Sequence, residues 1–321
     1  MSEHDYGFYG WRVRSRIDLS PVPLGSRGEP DLVLSFSEVG QVPAIAPDGE
    51  VLAEFPPRQA GAKMYWLVEQ SDGFLLRFPG QVEFAVSRDL REVACRRAHP
   101  EPLGDVIEMF CGNTMSLFLS LAGEAVFHSS AVALGTPENL GRAVGIFGGM
   151  GAGKSTIAAV LVADGARFLT DDVLRVRASN GRAFVVGSCS ELRLRRPSWS
   201  LADRLPEAPR RQVSEDRLAL ALGSGDLAAT ELGLLVFPKV AEEGPMQVRS
   251  LRPNETALAL AGVPRMSGWL RKDVLERQFS CLGELAVSLP ALEIAMPRGG
   301  ALTETFAARL RQALAEHMPA P

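Results

Sequence analysis

Near the middle of the chain, Gly148-Gly149-Met150-Gly151-Ala152-Gly153-Lys154-Ser155, followed by Thr156, fills the pattern G-x-x-x-x-G-K-S at every fixed position. Each residue type in it has a physical task. Glycines let the backbone curl until successive N–H groups point at phosphate oxygens. A helix that begins near Lys154 adds the positive end of its dipole. The Lys154 ammonium is long enough to reach β- and γ-phosphates, and the Ser155 hydroxyl is a ligand for Mg2+. The stretch from Gly148 to Thr156 therefore reads as a cradle for the phosphates of a nucleotide bound with Mg2+.

Three further groups of residues carry chemistry. Asp171-Asp172 follows Lys154 by only 17 residues, a tight interval of helix, turn and strand that brings two carboxylates back beside the cradle. Adjacent carboxylates allow a division of labour, one near Mg2+ and the other taking a proton from an incoming hydroxyl. His128, in "FHSSAVAL", lies one strand upstream. It reads either as a satisfied core histidine or as a neighbour of the catalytic carboxylate or the γ-phosphate. In "SCSELRLRR", alternation puts Glu191, Arg193 and Arg195 on one face and Leu192 and Leu194 on the other. That face is either a solvated charged surface or an acid for the metal with an Arg for phosphoryl charge.

The elements that must position these groups are legible as changes of period. A strand-like run, Ala143 to Phe147, enters the cradle, and "STIAAVLVADG" leaves it as a helix that stops at Gly165. "ARFLTDDVLRV" then reads as a strand ended by the acid pair. Residues 1–103 read as strands instead: "WRVRSRIDL", "DLVLSF", and above all "GFLLRFPGQVEFAV". There Phe74, Leu76 and Phe78 alternate, Pro79-Gly80 turns, and Val82, Phe84 and Val86 alternate back. "DVIEMFCGNTMSLFLSLAG" is helical, with Asp105 as N-cap candidate and Gly112-Asn113 as a bend. The expected organisation is a small β-rich domain over 1–103, open to a role in substrate recognition, and an α/β catalytic domain over 104–321. Turn chemistry is expected at Gly135 to Gly141, and a loop from Ser198 to Asp216. Met266 to Phe279 reads as an amphipathic helix.

Composition sets outer bounds. The 321 residues are 46% hydrophobic and 22% charged, enough for a substantial core and about two domains. Net charge is −4, from 34 basic and 38 acidic side chains, which gives no general pull toward nucleic acid or an anionic membrane. Four cysteines show neither C-x-x-C nor zinc spacing. The first residues lack the basic-then-apolar order of a secretion signal, and the most apolar run, Met115 to Leu121, is too short to span a bilayer. A cytoplasmic protein is expected, with no nucleic-acid or membrane partner. A homo-oligomer is left open.

Taken in order, "FHSSAVAL", "GIFGGMGAGKSTIAAVLVADGARFLTDDV" and "SELRL" resemble the catalytic domain of HPr kinase/phosphorylase and its relatives, which share a fold core with phosphoenolpyruvate carboxykinase. The resemblance covers roughly residues 104–300 and is strongest over 127–194. It implies a P-loop kinase domain of that type preceded by the small β domain. It also implies Asp171 as base toward a substrate serine, and Ser155, Asp172 and Glu191 at the metal. His128 would lie close to the catalytic Asp, and Arg193 matches an Arg two residues past the Glu. Glu191 is followed by "LRLRRPSWSL", without the glycine-bearing signature of that family, which favours forward transfer over phosphorolysis. With "YGWRVRSRIDL" near its start, the whole chain is similar to HPr-kinase-like proteins of lasso-peptide pathways, which phosphorylate a precursor peptide on serine. The resemblance thus implies a Mg2+-dependent, ATP-using serine kinase acting on a peptide or small protein. An HPr-type protein kinase, a small-molecule kinase and a non-transferring nucleotide switch stand as alternatives.

Overall fold

The structure is a computed structural model that describes residues 3–20, 22, 24–25, 28–55, 64–135, 141–179, 181–187, 191–205, 207–222, 229–241, 244–297 and 302–319. The chain divides into two compact units. One holds Met1–Ala125 with Arg265–Gln278, and the other Val126–Pro264 with Phe279–Pro321. Both are built on large sheets with few helices, a mixed α/β chain.

The first unit is an eight-stranded sheet. Its strands are β1 (His4–Phe8), β2 (Trp11–Ser15), β3 (Leu32–Val39), β4 (Glu50–Phe55), β5 (Tyr65–Gln70), β6 (Gly73–Phe78), β7 (Val82–Ser87) and β8 (Glu92–Ala98). They lie in the order β1-β2-β3-β8-β7-β6-β5-β4. Strand β3 runs parallel to β2 and β8, and the rest is antiparallel. The alternation around Pro79-Gly80 produces the β6–β7 hairpin, with Leu76 opposite Phe84 and Phe78 opposite Val82. Gly80 takes the left-handed conformation, φ 74°, that its turn requires.

After β8 come α1 (Leu103–Met109), a π turn over Phe110–Thr114, and α2 (Met115–Leu121). Asp105 sits in the first turn of α1, whose cap position is Pro102. The bend expected at Gly112-Asn113 is this π turn, where the Ser116 hydroxyl donates to the Gly112 carbonyl at 2.6 Å. The Phe110 ring lies 6.0 Å from Phe84, and Phe118 6.4 Å from Trp11. These rings tie the helical segment to the β-rich unit. The compact division therefore falls at 125/126, whereas the sequence period changes at 103/104.

The second unit holds a nine-stranded sheet built from β9 (Ala125–Phe127), β10 (Ser129–Leu134), β11 (Arg142–Phe147), β12 (Arg167–Thr170), β13 (Leu174–Ser179), β14 (Arg182–Val186), β18 (Ala229–Ala241), β19 (Gln247–Ser250) and β20 (Ala291–Pro297). Its path is β12-β10-β11-β18-β14-β13-β9, with β20 also on β18 and β19 on β20. Strands β11, β18 and β20 are mutually parallel along the middle. A separate three-stranded sheet, β15-β17-β16, comprises β15 (Glu191–Arg195), β16 (Arg210–Ser214) and β17 (Arg217–Ala221). The helices are α3 (Lys154–Ala163), α4 (Pro253–Ala261), α5 (Lys272–Ser288), which carries the chain back from the first unit, and α6 (Glu304–His317). Most of the turn expected at Gly135 to Gly141 lies at 136–140, outside the described residues.

Helix α3 is the centre of this unit. Ile157, Ala158, Ala159, Val160 and Leu161 are all fully buried. A helix apolar on every side needs cover on every side. Strands β10 and β11, strand β15 and α6 supply it. The expected loop over 198–216 is instead largely ordered, as a 3-10 helix over Arg196–Arg204 followed by β16. The reason is packing: Leu201 and Ala202 are buried in the same core as α3.

Candidate functional site

Strand β11 ends at Phe147, and α3 begins at Lys154, so residues 148–153 form the strand-to-helix turn that the glycine pattern demands. Two glycines are needed for their backbone. Gly151 has φ 80° and Gly153, the cap residue of α3, has φ 99°, a region that costs any residue with a Cβ. A Cβ on Gly153 would also lie 2.8 Å from the Met296 Cε. The Lys154 ammonium is buried and donates to the carbonyls of Gly148 and Gly149, at 2.8 and 3.1 Å. The lysine thus braces the loop it belongs to. The Thr156 and Ser198 hydroxyls lie 2.9 Å apart and tie the first turn of α3 to the 3-10 helix.

Strand β12 brings the acid pair to this turn, and the backbone then separates the two carboxylates. Thr170 donates its hydroxyl to the Val173 carbonyl at 2.7 Å, and the Val173 N–H donates to the Asp171 carbonyl at 3.0 Å. This closes a tight reversal in which Asp172 has φ 72°, a conformation Asp adopts more readily than most side chains. Asp171 turns inward. One carboxylate oxygen lies 3.0 Å and the other 3.1 Å from the Ser155 Oγ, which donates. The Ser130 hydroxyl of β10 and the Arg193 N–H of β15 also donate to it, the latter at 3.0 Å. Burial pushes the Asp171 carboxyl above its usual range, and the Asp172 charge adds to this. The hydrogen bonds from Ser130, Arg193 and Ser155 work in the opposite direction. Asp172 turns outward: its side chain is 46% exposed and its Oδ1 lies 3.1 Å from the His128 Nε2.

These groups share a cavity of about 560 Å³, whose walls include His128, Lys154, Ser155, Asp171, Asp172 and Arg193. The sequence thus points to residues that the fold assembles in one place. Gly151, Gly153, Met150 and Thr156 line the same cavity. Glu191 is placed differently. Its carboxylate is buried and engages Arg211 Nη2 at 3.0 Å and Arg193 Nη2 at 3.9 Å, so two arginines offset its charge. The resemblance puts His128 close to Asp171, the base it implies, whereas its Nε2 engages Asp172.

Among the described residues no three His, Cys, Asp or Glu side chains gather in a metal cluster. Mg2+ bound with phosphates asks for less: one or two carboxylates or hydroxyls, with phosphate oxygens and water completing the octahedron. The Ser155–Asp171 pair is a hard-oxygen donor set at the N-terminus of α3 and fits that ion. Among the described residues no helix is long and apolar enough to cross a membrane.

Two contributors escaped the sequence reading. Ser130, like Ser129 beside it, is fully buried, which marks it as a residue with a polar partner, but the strand does not say which. Arg211 lies 20 positions from Glu191, and only the β15-β17-β16 register joins them.

No protein-family model matches the chain, and no curated protein matches it. Among solved structures it is similar to the HPr(Ser) kinase/phosphatase from Coxiella burnetii, at 10% identity, with 60% of this chain and 95% of that chain covered and a TM-score of 0.30.

Proposed function

We propose that this protein is a Mg2+-dependent kinase that moves the γ-phosphoryl group of ATP to a serine hydroxyl of a peptide, with a lasso-type precursor peptide as the acceptor class the sequence resemblance suggests. One observation carries the reading. Two adjacent aspartates are held in opposite environments, Asp171 on Ser155 and Asp172 on His128, in one cavity with the Lys154 turn.

The roles follow from those environments. The turn amides and Lys154 receive the β- and γ-phosphates, and Lys154 exchanges its two loop carbonyls for phosphate oxygens. Bound Mg2+ supplies neutralisation of the charge that develops between the phosphates. Ser155 and Asp171 would hold it. Asp171 suits that task because it is buried, fixed by several donors and within reach of Ser155, and it is poorly placed to meet an acceptor. Asp172 is the base: its exposed carboxylate takes the proton of the serine hydroxyl, while His128 Nε2–H fixes one of its oxygens. The proton leaves through solvent on the Asp172 side. This exchanges the two roles that the family resemblance implies for the pair. Arg193, anchored through its own N–H to Asp171, lies on the cavity wall where it can neutralise the transferred group. Glu191, itself paired with Arg211, engages the Arg193 side chain at 3.9 Å.

The test is to incubate the protein with γ-labelled ATP, Mg2+ and serine peptides, including short peptides encoded beside its own gene. Phosphate gained by a peptide serine, mapped by mass spectrometry, is the expected result. Label found only on a small metabolite, or only in inorganic phosphate, overturns the proposal and leaves a small-molecule kinase or a nucleotide switch respectively.

A further inference from the structure

The three-stranded sheet beside the cavity has two unlike faces. Leu192 and Leu194 of β15 and Leu220 of β17 belong to the apolar core against α3. Alternation puts Glu191, Arg193 and Arg195 of β15 on the other face. Cross-strand register then sets Arg195 directly opposite Arg217, Arg193 opposite Ala219, and Ala219 opposite Arg211 of β16. Four arginines and one glutamate therefore share a face whose middle is alanine. Like charges set directly across an antiparallel pair are destabilising. Glu191 answers Arg211 and Arg193. For Arg195 and Arg217 the described electrostatic partner is Asp216, at the β16–β17 turn, whose carboxylate is itself engaged by the Ser214 hydroxyl at 2.8 Å.

This face does not stand apart from the chemistry. Arg193, Arg195 and Arg217 line the same cavity as Lys154, Asp171 and Asp172. A polypeptide that presents a hydroxyl to Asp172 would have its neighbouring residues beside Arg195 and Arg217. Strands of five residues offer about 17 Å of length, enough for roughly five residues of extended chain at about 3.3 Å each. Guanidinium groups pair with carboxylates in bidentate fashion and discriminate by charge.

We propose that the arginine face of β15 and β17 is the docking surface for an acidic stretch of the acceptor, so that the substrate serine lies close in sequence to carboxylates. This rests on the kinase reading above for where the hydroxyl goes, but its test requires no phosphoryl transfer. The full chain is titrated against a fluorescein-labelled nine-residue peptide with a central Ser flanked by Glu, and against the same peptide with Gln at every Glu, reading fluorescence anisotropy. The Glu peptide should bind at least about tenfold more tightly, as expected for two charge-assisted pairs, and the gap should narrow as KCl is raised. The double variant R195Q/R217Q should erase the gap, with its thermal midpoint by circular dichroism confirming that it is folded. Equal affinity of the wild-type chain for the two peptides, or binding of neither, overturns the proposal without any variant. So does a preference for Glu that survives in a folded R195Q/R217Q. A retained Glu preference with no transfer to any serine would instead sink the kinase reading and leave the docking surface standing.

Discussion

Asp172→Asn separates the proposed base from its structural surroundings more cleanly than any other single change. The backbone at 172 has φ 72°, and Asn, with Asp, is among the non-glycine residues that tolerate this region best. The side chain is 46% exposed, so the change buries no new polar group, and stability should move by no more than about 0.5 kcal/mol. His128 Nε2–H can donate to an amide oxygen as it does to the carboxylate, so the local geometry is kept. What is lost is the capacity to accept a proton. General-base assistance of this kind is worth about 10²–10⁴-fold, or about 2.7–5.4 kcal/mol of barrier. Turnover of the peptide acceptor should fall by that factor, with little change in the nucleotide concentration needed for half-saturation. Asp171→Asn should behave differently: it removes a ligand beside Ser155, so transfer should demand much more Mg2+. The assay is labelled-phosphate transfer at varied Mg2+ for both variants. Near-wild-type turnover in Asp172→Asn, together with an Asp171→Asn whose turnover falls steeply at a Mg2+ requirement like that of the wild type, would refute the assignment and restore Asp171 as base.

Lys154→Ala should lose nucleotide-dependent transfer and bind ATP weakly by calorimetry while keeping its fold, because the ammonium donates to the loop carbonyls of Gly148 and Gly149 and the α3 core is built by the apolar residues after it; a folded variant with normal turnover would refute the cradle. Removing residues 1–103 should give an insoluble or aggregating protein by size-exclusion chromatography, since Phe110 and Phe118, each 1% exposed, would lose Phe84 and Trp11; a well-behaved monodisperse fragment would show that the helical segment does not depend on the β sheet. Asp171 titrates above the usual carboxyl range, chiefly because it is buried, so between its ordinary and raised values the folded chain keeps a proton the unfolded chain has released, and stability falls as pH rises through that window. The wild-type minus Asp171→Asn difference in thermal midpoint should therefore fall across the same window; a difference that stays flat or rises with pH refutes the burial argument.

How far the sequence could reach is set by how local each feature is. The β6–β7 hairpin needs only period-two alternation around Pro79-Gly80, and the glycine-rich turn only a strand before it and a helix after it, so both were legible. The limit of the first unit was not. The apolar face of 105–121 announces burial, but not that Phe110 and Phe118 bury against a sheet formed by residues before them. The segment from Ser198 to Asp216 reads as a loop because it is rich in Pro, Arg and acids, and its order comes from Leu201 and Ala202 reaching the α3 core. The chemistry divides the same way. His128, Lys154, Ser155, Asp171, Asp172 and Arg193 were all visible as residue types at meaningful spacings, and they meet in one cavity. Which Asp faces which partner depends on a reversal at 171–173, and the fate of Glu191 on a strand pairing across 20 positions. Neither has a signature in spacing alone.

The reversal explains why two identical neighbours need not share a role. In an uninterrupted strand, residues 171 and 172 would point to opposite faces of the sheet, one into the core beneath β10 and the other away from it. Ending β12 at Thr170 and folding back through the left-handed Asp172 lets both carboxylates remain at the mouth of the glycine turn while only one is covered. The covered one is held by Ser130, Ser155 and the Arg193 amide, a set drawn from three separate elements. A carboxylate fixed from three sides is largely preorganised for a cation, with the Ser155 hydroxyl proton the group that must turn away. The uncovered one engages His128 and stays 46% exposed, and that open side is where the proposal puts the acceptor. Environments that drive paired acids apart are how one site runs two kinds of chemistry at one pH. Here the separation is produced by one residue of left-handed backbone, so a substitution that straightens it, Asp172→Val for example, should cost more than loss of the carboxylate alone, because a β-branched side chain at that φ would pull Asp171 off Ser155 as well.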